Sequence, residues 1–76
     1  EDLIGYIARS LVDDPDAVEV EAIDGDNTIV VELTVAKGDL GKVIGKGGAH
    51  ASAIRTLMAA ASGKEKKRYI LEIIEH

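Results

Sequence analysis

The chain has 76 residues, of which 46% are apolar and 30% charged, with one proline, no cysteine and a net charge of −5. This composition is typical of one small globular domain, and it excludes a disulfide framework, a cysteine nucleophile and, with His50 and His76 as the only histidines, a zinc site. The absence of cysteine favours a cytoplasmic location, and no metal or cofactor is expected. No uncharged run approaches the roughly 20 apolar residues of a membrane helix, so no membrane span is predicted.

The first half of the chain predicts a helix followed by two strands. Apolar residues recur at helical spacing from the start, and Pro15 cannot continue a helix, so this helix is expected to end near Asp14. Apolar and acidic residues alternate over 18–22, which indicates a strand with one solvated face. The turn residues 24–27 lead to a strand over 28–35, which is β-branched at most positions and is expected to be the more central one.

The second half predicts two helices and a final strand. Asp39 is expected to cap a brief helix over 40–44, and the alanine-rich run 49–62, which lacks proline and glycine, predicts a long helix. Residues 63–68 are expected to end that helix and form a charged connection to a strand over 69–74. The stripe of the long helix that is expected to face the core comprises Ala51, Ile54, Leu57, Met58 and Ala61.

These elements follow the order α-β-β-α-α-β. Two long helices cannot cover both faces of three strands, so the helices are expected to pack on one face and to leave the other partly open. The connection from 28–35 to the last strand contains both later helices, which favours a right-handed crossover between parallel strands. The predicted fold class is therefore α+β, with a three-stranded mixed sheet.

The net charge conceals a segregation of charge along the sequence. Residues 1–36 carry a net charge of −9, residues 37–68 carry +6 and residues 69–76 carry −2. A basic segment attracts phosphate groups, while acidic flanks discourage nonspecific wrapping of a polyanion. The acidic average therefore does not exclude a nucleic-acid ligand.

The segment 45–48, Gly-Lys-Gly-Gly, is hard to explain by folding alone. Each glycine weakens a helix by about 1 kcal/mol relative to alanine, and a plain turn between helices needs only one. The additional glycines would leave a bare main chain that a ligand can approach, with amides at the start of the following helix directed toward an anion and Lys46 adding a positive charge. A purely structural turn between helices is the alternative interpretation.

Two common phosphate-binding motifs are absent from this segment. A P-loop requires Gly-Lys-Ser/Thr at a fixed distance from a first glycine, and the dinucleotide fingerprint would require glycine where His50 stands. The pattern that fits is Gly-x-x-Gly between two helices, preceded by Val43 and Ile44. This is the mark of the KH module, whose loop clamps the backbone of about four nucleotides.

On these residues the chain resembles a known family. Val43, Ile44, Gly45, Gly48 and Ile54 match the KH signature, and the order of elements is that of the type II KH fold. The opening helix, the segments 41–46 and 53–56 and the closing strand are similar to the small bacterial single-KH proteins called KhpA. The resemblance covers essentially every residue and implies a single KH domain over 1–76.

The resemblance implies a non-catalytic cytoplasmic protein that binds single-stranded RNA and acts as an RNA chaperone and post-transcriptional regulator. It also implies pairing, either as a homodimer or as a heterodimer with a larger KH protein of the Jag type. In some bacteria such pairs influence cell-wall synthesis and cell length, and the resemblance extends this expectation to the present chain.

The residues themselves predict how RNA is held. The sugar-phosphate backbone is expected to lie over 45–48, bound by amides and Lys46, while unstacked bases turn into an aliphatic groove. Stacking platforms are not expected, because the chain has no Phe or Trp and only Tyr6 and Tyr69. The predicted RNA-binding residues are Lys42, Val43, Ile44, Gly45, Lys46, Gly47, Gly48, Ala49, His50 and Arg55.

Three of these residues have a structural alternative. Lys42 and Arg55 are also consistent with solvated charges on a helix, and His50 with a partly buried histidine beside the core stripe. The aspartates of 13–16 and 24–26 lack further ligands at loop spacing, so they are interpreted as a helix end and a turn, not as a metal site.

One face of the long helix carries only small residues. Ala49, Ala53, Thr56 and Ala60 lie on the side away from Ile54 and are called the small-residue ridge. An exposed helical face normally carries long charged residues, whereas small ones let another helix approach closely. The ridge is therefore expected to form the interface of a homodimer or a contact with a second KH protein; helix propensity alone is the alternative explanation.

Two functions compete with RNA binding. A protein-interaction module with a vestigial RNA groove agrees with the acidic average. A DNA-binding helix-turn-helix protein is less favoured, because the helix before the loop is short and the next lacks polar side chains for reading base edges. No enzyme is expected, since none of the serines has a base and an orienting acid beside it in the sequence.

Overall fold

The computed structural model describes residues 2–62 and 67–76. The elements are, in chain order, helix α1 (Asp2–Leu11), strand β1 (Glu19–Asp24), strand β2 (Thr28–Val35), helix α2 (Leu40–Ile44), helix α3 (Ala49–Ser62) and strand β3 (Arg68–Glu75). Short 3₁₀ turns at Pro15–Ala17 and Lys46–Gly48 precede β1 and α3. The predicted order is confirmed, while the expected helix end and connection at 63–66 lie outside the described residues.

Strand β2 is the centre of a three-stranded mixed sheet. Strand β1 pairs with it in antiparallel orientation, with Glu21 opposite Glu32, and β3 pairs with it in parallel, with Leu71 beside Val31. The parallel pairing is possible because the crossover through α2 and α3 returns the chain to the same end of the sheet. This topology confirms the predicted α+β class, the mixed sheet and the central position of the second strand.

One face of the sheet carries the core. Along β2 the buried residues are Val31, Leu33 and Val35, because successive side chains of a strand point to opposite faces. Helix α3 contributes Ile54, which is 1% exposed, and α2 contributes Val43, which is fully buried. The other core residues are Ile4, Ala8, Val18, Met58 and Leu71. The helices therefore pack on one face, as expected, and the opposite face remains open.

Helix α1 ends at Leu11, earlier than the predicted position near Asp14. Its last turn is extended by the amide of Val12, which donates to the carbonyl of Ala8 at 3.2 Å. Pro15 begins a separate 3₁₀ turn instead of directly ending the helix. Asp13 and Asp14, between α1 and this turn, are therefore not helical, and they contact α2 and the residue before it, as described below.

The predicted core stripe of α3 is only partly correct. Ala51, Ile54 and Met58 are buried, whereas Leu57 is 39% exposed; the side chain of Ala61 lies outside the described part. Leu57 lies on the flank of the helix, where it lines a cleft together with residues of α1 and the sheet. None of the helices within 2–62 and 67–76 has the length and hydrophobicity needed to cross a membrane.

Candidate nucleic-acid interface

Residues 45–48, called the 45–48 turn, connect α2 to α3 through three glycines with positive φ. Gly45 has φ 78° and ψ 168°, a region that essentially only glycine occupies. Gly47 and Gly48 have φ of 65° and 80°, which is left-handed backbone that most side chains avoid. The unusual glycine content is therefore required by backbone geometry at three of the four positions.

The main chain of the turn is bare on its outer side. A Cβ atom added at Gly47 or Gly48 would meet nothing within 4 Å, and Lys46 is exposed at the tip. Space for an approaching ligand therefore exists where the sequence predicts it. Gly45 differs, because a Cβ atom there would lie 2.7 Å from Cγ of His50 and 2.9 Å from its amide nitrogen.

Two amides of the turn remain available as donors. The amide of Gly48 donates to the carbonyl of Gly45 at 3.0 Å, and that of Ala49 donates to the carbonyl of Lys46. The amide of Ala49 is therefore already used, contrary to the expectation that the start of α3 offers it to an anion. Within the described part of the chain, the amides of Lys46 and Gly47 have no such acceptor, and these two groups can bind a phosphate oxygen.

His50 holds the turn against the end of α2. Its Nδ1 lies 2.8 Å from the carbonyl oxygen of Lys42, and because that oxygen can only accept, Nδ1 carries the proton and donates. The carbonyl belongs to the last turn of α2, where helical acceptors lack partners. The side chain is nonetheless exposed, so His50 is not the partly buried histidine of the alternative interpretation. It connects the two helices while its ring remains accessible beside Gly45.

Lys42 takes part in a network of charges at the start of α2. Its Nζ lies 3.0 Å from Oδ2 of Asp13 and 3.3 Å from Oδ1 of Asp39. The second carboxylate oxygen of Asp39 accepts a hydrogen bond from the amide of Asp14 at 3.1 Å. This Asp13–Asp39–Lys42 network joins the segment after α1 to α2, and it occupies the ammonium that the sequence suggested for RNA contact.

Asp39 therefore has a different role from the predicted helix cap. It is the residue before α2, but its side chain makes no capping hydrogen bond, and it is only 4% exposed. Burial raises the pKa of its carboxyl, yet the amides of Asp14 and Asp13 and the ammonium of Lys42 outweigh burial, so this pKa lies below the ordinary value of 3.8. Hydrogen bonds to Asp13 and Asp39 raise the pKa of the Lys42 ammonium above 10.5.

The network predicts a defined pH dependence of stability. A lowered Asp39 pKa stabilises the fold above the unfolded value near 3.8, and this contribution is lost as the pH falls through the folded pKa. A raised Lys42 pKa stabilises the fold below 10.5 and is lost as the pH rises through the folded pKa. We expect Asp39→Asn to lower the thermal midpoint at pH 7, and the difference from the parent to shrink below pH 4. Asp26→Asn, which removes the same charge from an exposed turn, serves as the control; an equal loss in both variants would contradict the assignment.

Val43 and Ile44 precede the turn but differ in exposure. Val43 is fully buried in the core, so its side chain cannot line a groove in this conformation. Ile44 is half-buried and keeps part of its surface beside the turn. Of the two aliphatic residues predicted to contact bases, only Ile44 is placed to do so.

Arg55 lies on the other flank of α3 from His50. His50 and Arg55 are five positions apart, so their side chains lie about 140° from each other around the helix axis. The flank of His50 adjoins α2 through the contact with Lys42, whereas Arg55 is exposed on the opposite flank of α3. Arg55 and His50 therefore lie on different flanks of α3, and the RNA contact of Arg55 stays a prediction.

The small-residue ridge is exposed along its whole length. Ala49, Ala53, Thr56 and Ala60 all lie on the surface, opposite the buried stripe of α3. The hydroxyl of Thr56 donates to the carbonyl of Ser52 at 3.0 Å within its own helix. The ridge consequently presents mostly methyl groups.

Sequence reasoning missed the Asp13–Asp39–Lys42 network. The pair Asp39 and Lys42 stands at i and i+3, a spacing that favours ion pairs on a helix and was available as a signal. The contact with Asp13 had no such signal, because it depends on how the segment after α1 lies against α2.

Comparison with known proteins assigns the chain to a family. The family model described as KhpA/KhpB, KH domain, matches residues 1–73. The chain is 60% identical over 73 residues to the RNA-binding protein KhpA of Caldanaerobacter subterraneus subsp. tengcongensis, which covers 96% of this chain and 97% of that protein. It is 54% identical over 72 residues to the RNA-binding protein KhpA of Clostridium acetobutylicum, and the match covers 95% of this chain and 96% of that protein. It is 49% identical over 75 residues to the RNA-binding protein KhpA of Treponema pallidum, and the match covers 99% of this chain and 94% of that protein.

No solved structure matches the chain significantly. The matches in sequence nevertheless extend over the sheet, the helices and the 45–48 turn alike. A family model over nearly the whole chain and relatives at this identity establish the classification: the chain belongs to the KhpA/KhpB family of KH domains.

Proposed function

We propose that this chain is a non-catalytic, single-domain protein that binds single-stranded RNA through the 45–48 turn. The observation that carries the proposal is the bare main chain at Gly47 and Gly48, with two available amides and the exposed Lys46 at its tip. Relatives at 45–60% identity over almost their full length are named RNA-binding protein KhpA. Both observations support a phosphate ligand over a purely structural turn.

Binding uses the backbone of the RNA more than its bases. Phosphate oxygens accept from the amides of Lys46 and Gly47, and the Lys46 ammonium adds a charge contact. Ile44 and Ala49 offer small apolar contacts to an unstacked base, and the accessible ring of His50 contacts ribose or a base edge. Lys42 and Arg55 contribute long-range attraction, since the Lys42 ammonium is paired with two carboxylates and Arg55 is exposed on the opposite flank of α3 from His50.

The dependence of binding on salt tests this proposal. A short unstructured RNA, followed by fluorescence anisotropy, should bind with an affinity that falls as salt rises. The slope of log K against log salt is about −0.7 for each phosphate contact with a single strand, so two to three contacts give a slope of about −1.4 to −2.1. Absence of binding, or binding that salt does not change, would instead favour a protein-interaction module.

The finer biological role follows from the family resemblance. We propose that the protein acts as an RNA chaperone and post-transcriptional regulator in the cytoplasm, and that it influences cell-wall synthesis and cell length. A weak single site explains why pairing is useful, because a second linked site raises the effective concentration of the RNA. The partner is a second copy or a larger KH protein of the Jag type.

The small-residue ridge is the proposed surface for this pairing. Ala53→Glu combined with Ala60→Glu places two charges where methyl groups would meet another helix, and should weaken self-association or binding of a second KH protein by at least about tenfold. Ser52→Glu combined with Ala59→Glu adds the same charge on a flank of α3 and serves as the control. Analytical ultracentrifugation measures both pairs; equal association of the ridge variant and the parent would remove the ridge from the interface.

A further inference from the structure

The open face of the sheet has an ordered pattern that the RNA site does not use. The strand register places three side chains of this face in each transverse row. Ile23, Val30 and Ile70 form an apolar row. Glu21, Glu32 and Glu72 form the next row, called the glutamate row. Beyond it lie Glu19, Thr34 and Ile74.

The apolar side chains of this face are poorly covered. Ile23 is 47% exposed, Ile70 is 38% exposed and Ile74 is 37% exposed. They are among the large apolar residues that the fold leaves in contact with water; Ile23 and Ile70 share the apolar row with Val30, and Ile74 lies on the same face beyond the glutamate row. Grouped exposure of this kind marks an interaction surface more often than scattered apolar residues do.

The glutamate row is unfavourable for the isolated fold. Like charges directly opposite one another on neighbouring strands destabilise a sheet, and glutamate is a poor strand residue at a central position such as Glu32. Within 2–62 and 67–76, none of the three carboxylates has an ion-pair partner. The basic side chains of this face in those residues lie away from the glutamate row: Arg68 lies beside Thr28 at the far side of the apolar row, and Nε2 of His76 lies 4.0 Å from Oε2 of Glu19.

We propose that this face binds a basic amphipathic helix of another protein, with the apolar stripe of the helix on the row of Ile23, Val30 and Ile70 and its Lys or Arg side chains on the glutamate row. Charge complementarity selects a cationic partner and disfavours both RNA and a second copy of this face, which would bring like charges together. The outer strands are about 10 Å apart, which matches the diameter of one helix. The helix covers the second side of the sheet, as α1 and α3 cover the first.

A synthetic 18-residue amphipathic peptide of leucine and lysine tests the inference with the full chain. In NMR titrations, its binding should shift the amides of 21–23, 30–32 and 70–72 and should leave the 45–48 turn unchanged. A peptide of equal charge with serine in place of leucine should bind at least about tenfold more weakly, because it lacks the apolar stripe.

Matched variants separate the surface from net charge. Glu32→Gln combined with Glu72→Gln should weaken peptide binding about five- to tenfold. Asp16→Asn combined with Asp26→Asn changes the net charge equally on other surfaces and should change binding less than about twofold. The glutamine variant should also unfold at a higher urea concentration than the parent, since repulsion across the strands is removed.

Several results would overturn the proposal. They are the absence of saturable peptide binding, equal losses in the two double variants, equal binding of the serine peptide, and shifts confined to α3 or the 45–48 turn. Shifts of the glutamate row on addition of RNA would also overturn it, because they would assign the face to a polyanion. The inference does not depend on RNA binding, so either can fail without the other.

Discussion

Replacing Lys46 and Gly47 by aspartate is expected to abolish RNA binding, with an affinity loss of roughly a hundredfold or more at 0.1 M salt. The substitution removes the ammonium at the tip of the turn and sets two carboxylates against the phosphate path. Gly47 has φ 65° and open space around a Cβ atom, and aspartate is among the residues that tolerate left-handed backbone. The fold should therefore persist, which circular dichroism and thermal unfolding can verify.

The chain offers a matched control for this variant at another Lys-Gly pair. Lys37 and Gly38 lie between β2 and α2, and Gly38 also has a positive φ, 94°, with nothing within 4 Å of an added Cβ atom. Lys37→Asp combined with Gly38→Asp changes the charge by the same amount at the far end of α2. Anisotropy titrations should show a loss of only a few-fold for this control. Similar losses in both variants would mean that net charge, and not the 45–48 turn, determines binding.

Gly45→Ala is expected to destabilise the protein by about 3 kcal/mol and to disrupt the turn. Alanine does not tolerate φ 78° with ψ 168°, and its Cβ atom would also lie 2.9 Å from the backbone nitrogen of His50. Movement of the His50 ring cannot relieve the backbone contact. Urea unfolding should therefore show a lower midpoint, and the remaining folded protein should bind RNA more weakly.

Gly41→Ala is the matched control for that substitution. Gly41 lies inside α2 without a positive φ, and an added Cβ atom there meets nothing within 4 Å. Alanine should stabilise this helix by about 0.5 to 1 kcal/mol. If Gly45→Ala proved as harmless as Gly41→Ala, the strained geometry and the contact with His50 would not be features of the folded protein.

The fold was largely predictable because periodicity is a local signal. The alternation in β2 directly predicts which residues are buried, and Val31, Leu33 and Val35 follow it. The ends of elements were less predictable, because α1 stops according to how 12–14 pack and not according to Pro15 alone. Leu57 shows the same limit: helical spacing places it near the core stripe, but the width of the covered stripe depends on α1 and the sheet.

The part of the site that was predictable from the sequence is the glycine-rich 45–48 turn. Three positive-φ glycines and an exposed lysine follow from the sequence pattern, since few other roles require them together. The roles of charged residues were less predictable, because a lysine near the site can act either as a ligand or as an ion-pair partner. Lys42 is occupied by Asp13 and Asp39, and this could be known only once the path of the chain after α1 was seen.

The parallel pairing of β2 with β3 has a consequence during translation. Val31 pairs with Leu71, so the 45–48 turn lies inside the long segment that this pairing closes. While the ribosome adds residues in order, the turn emerges before the strand that completes the sheet beneath α2 and α3. A nascent chain that stops before Leu71 lacks one side of the core, and contacts this distant in sequence form late in folding. Capture of RNA by a protein still being synthesised should therefore begin only after β3 has left the exit tunnel.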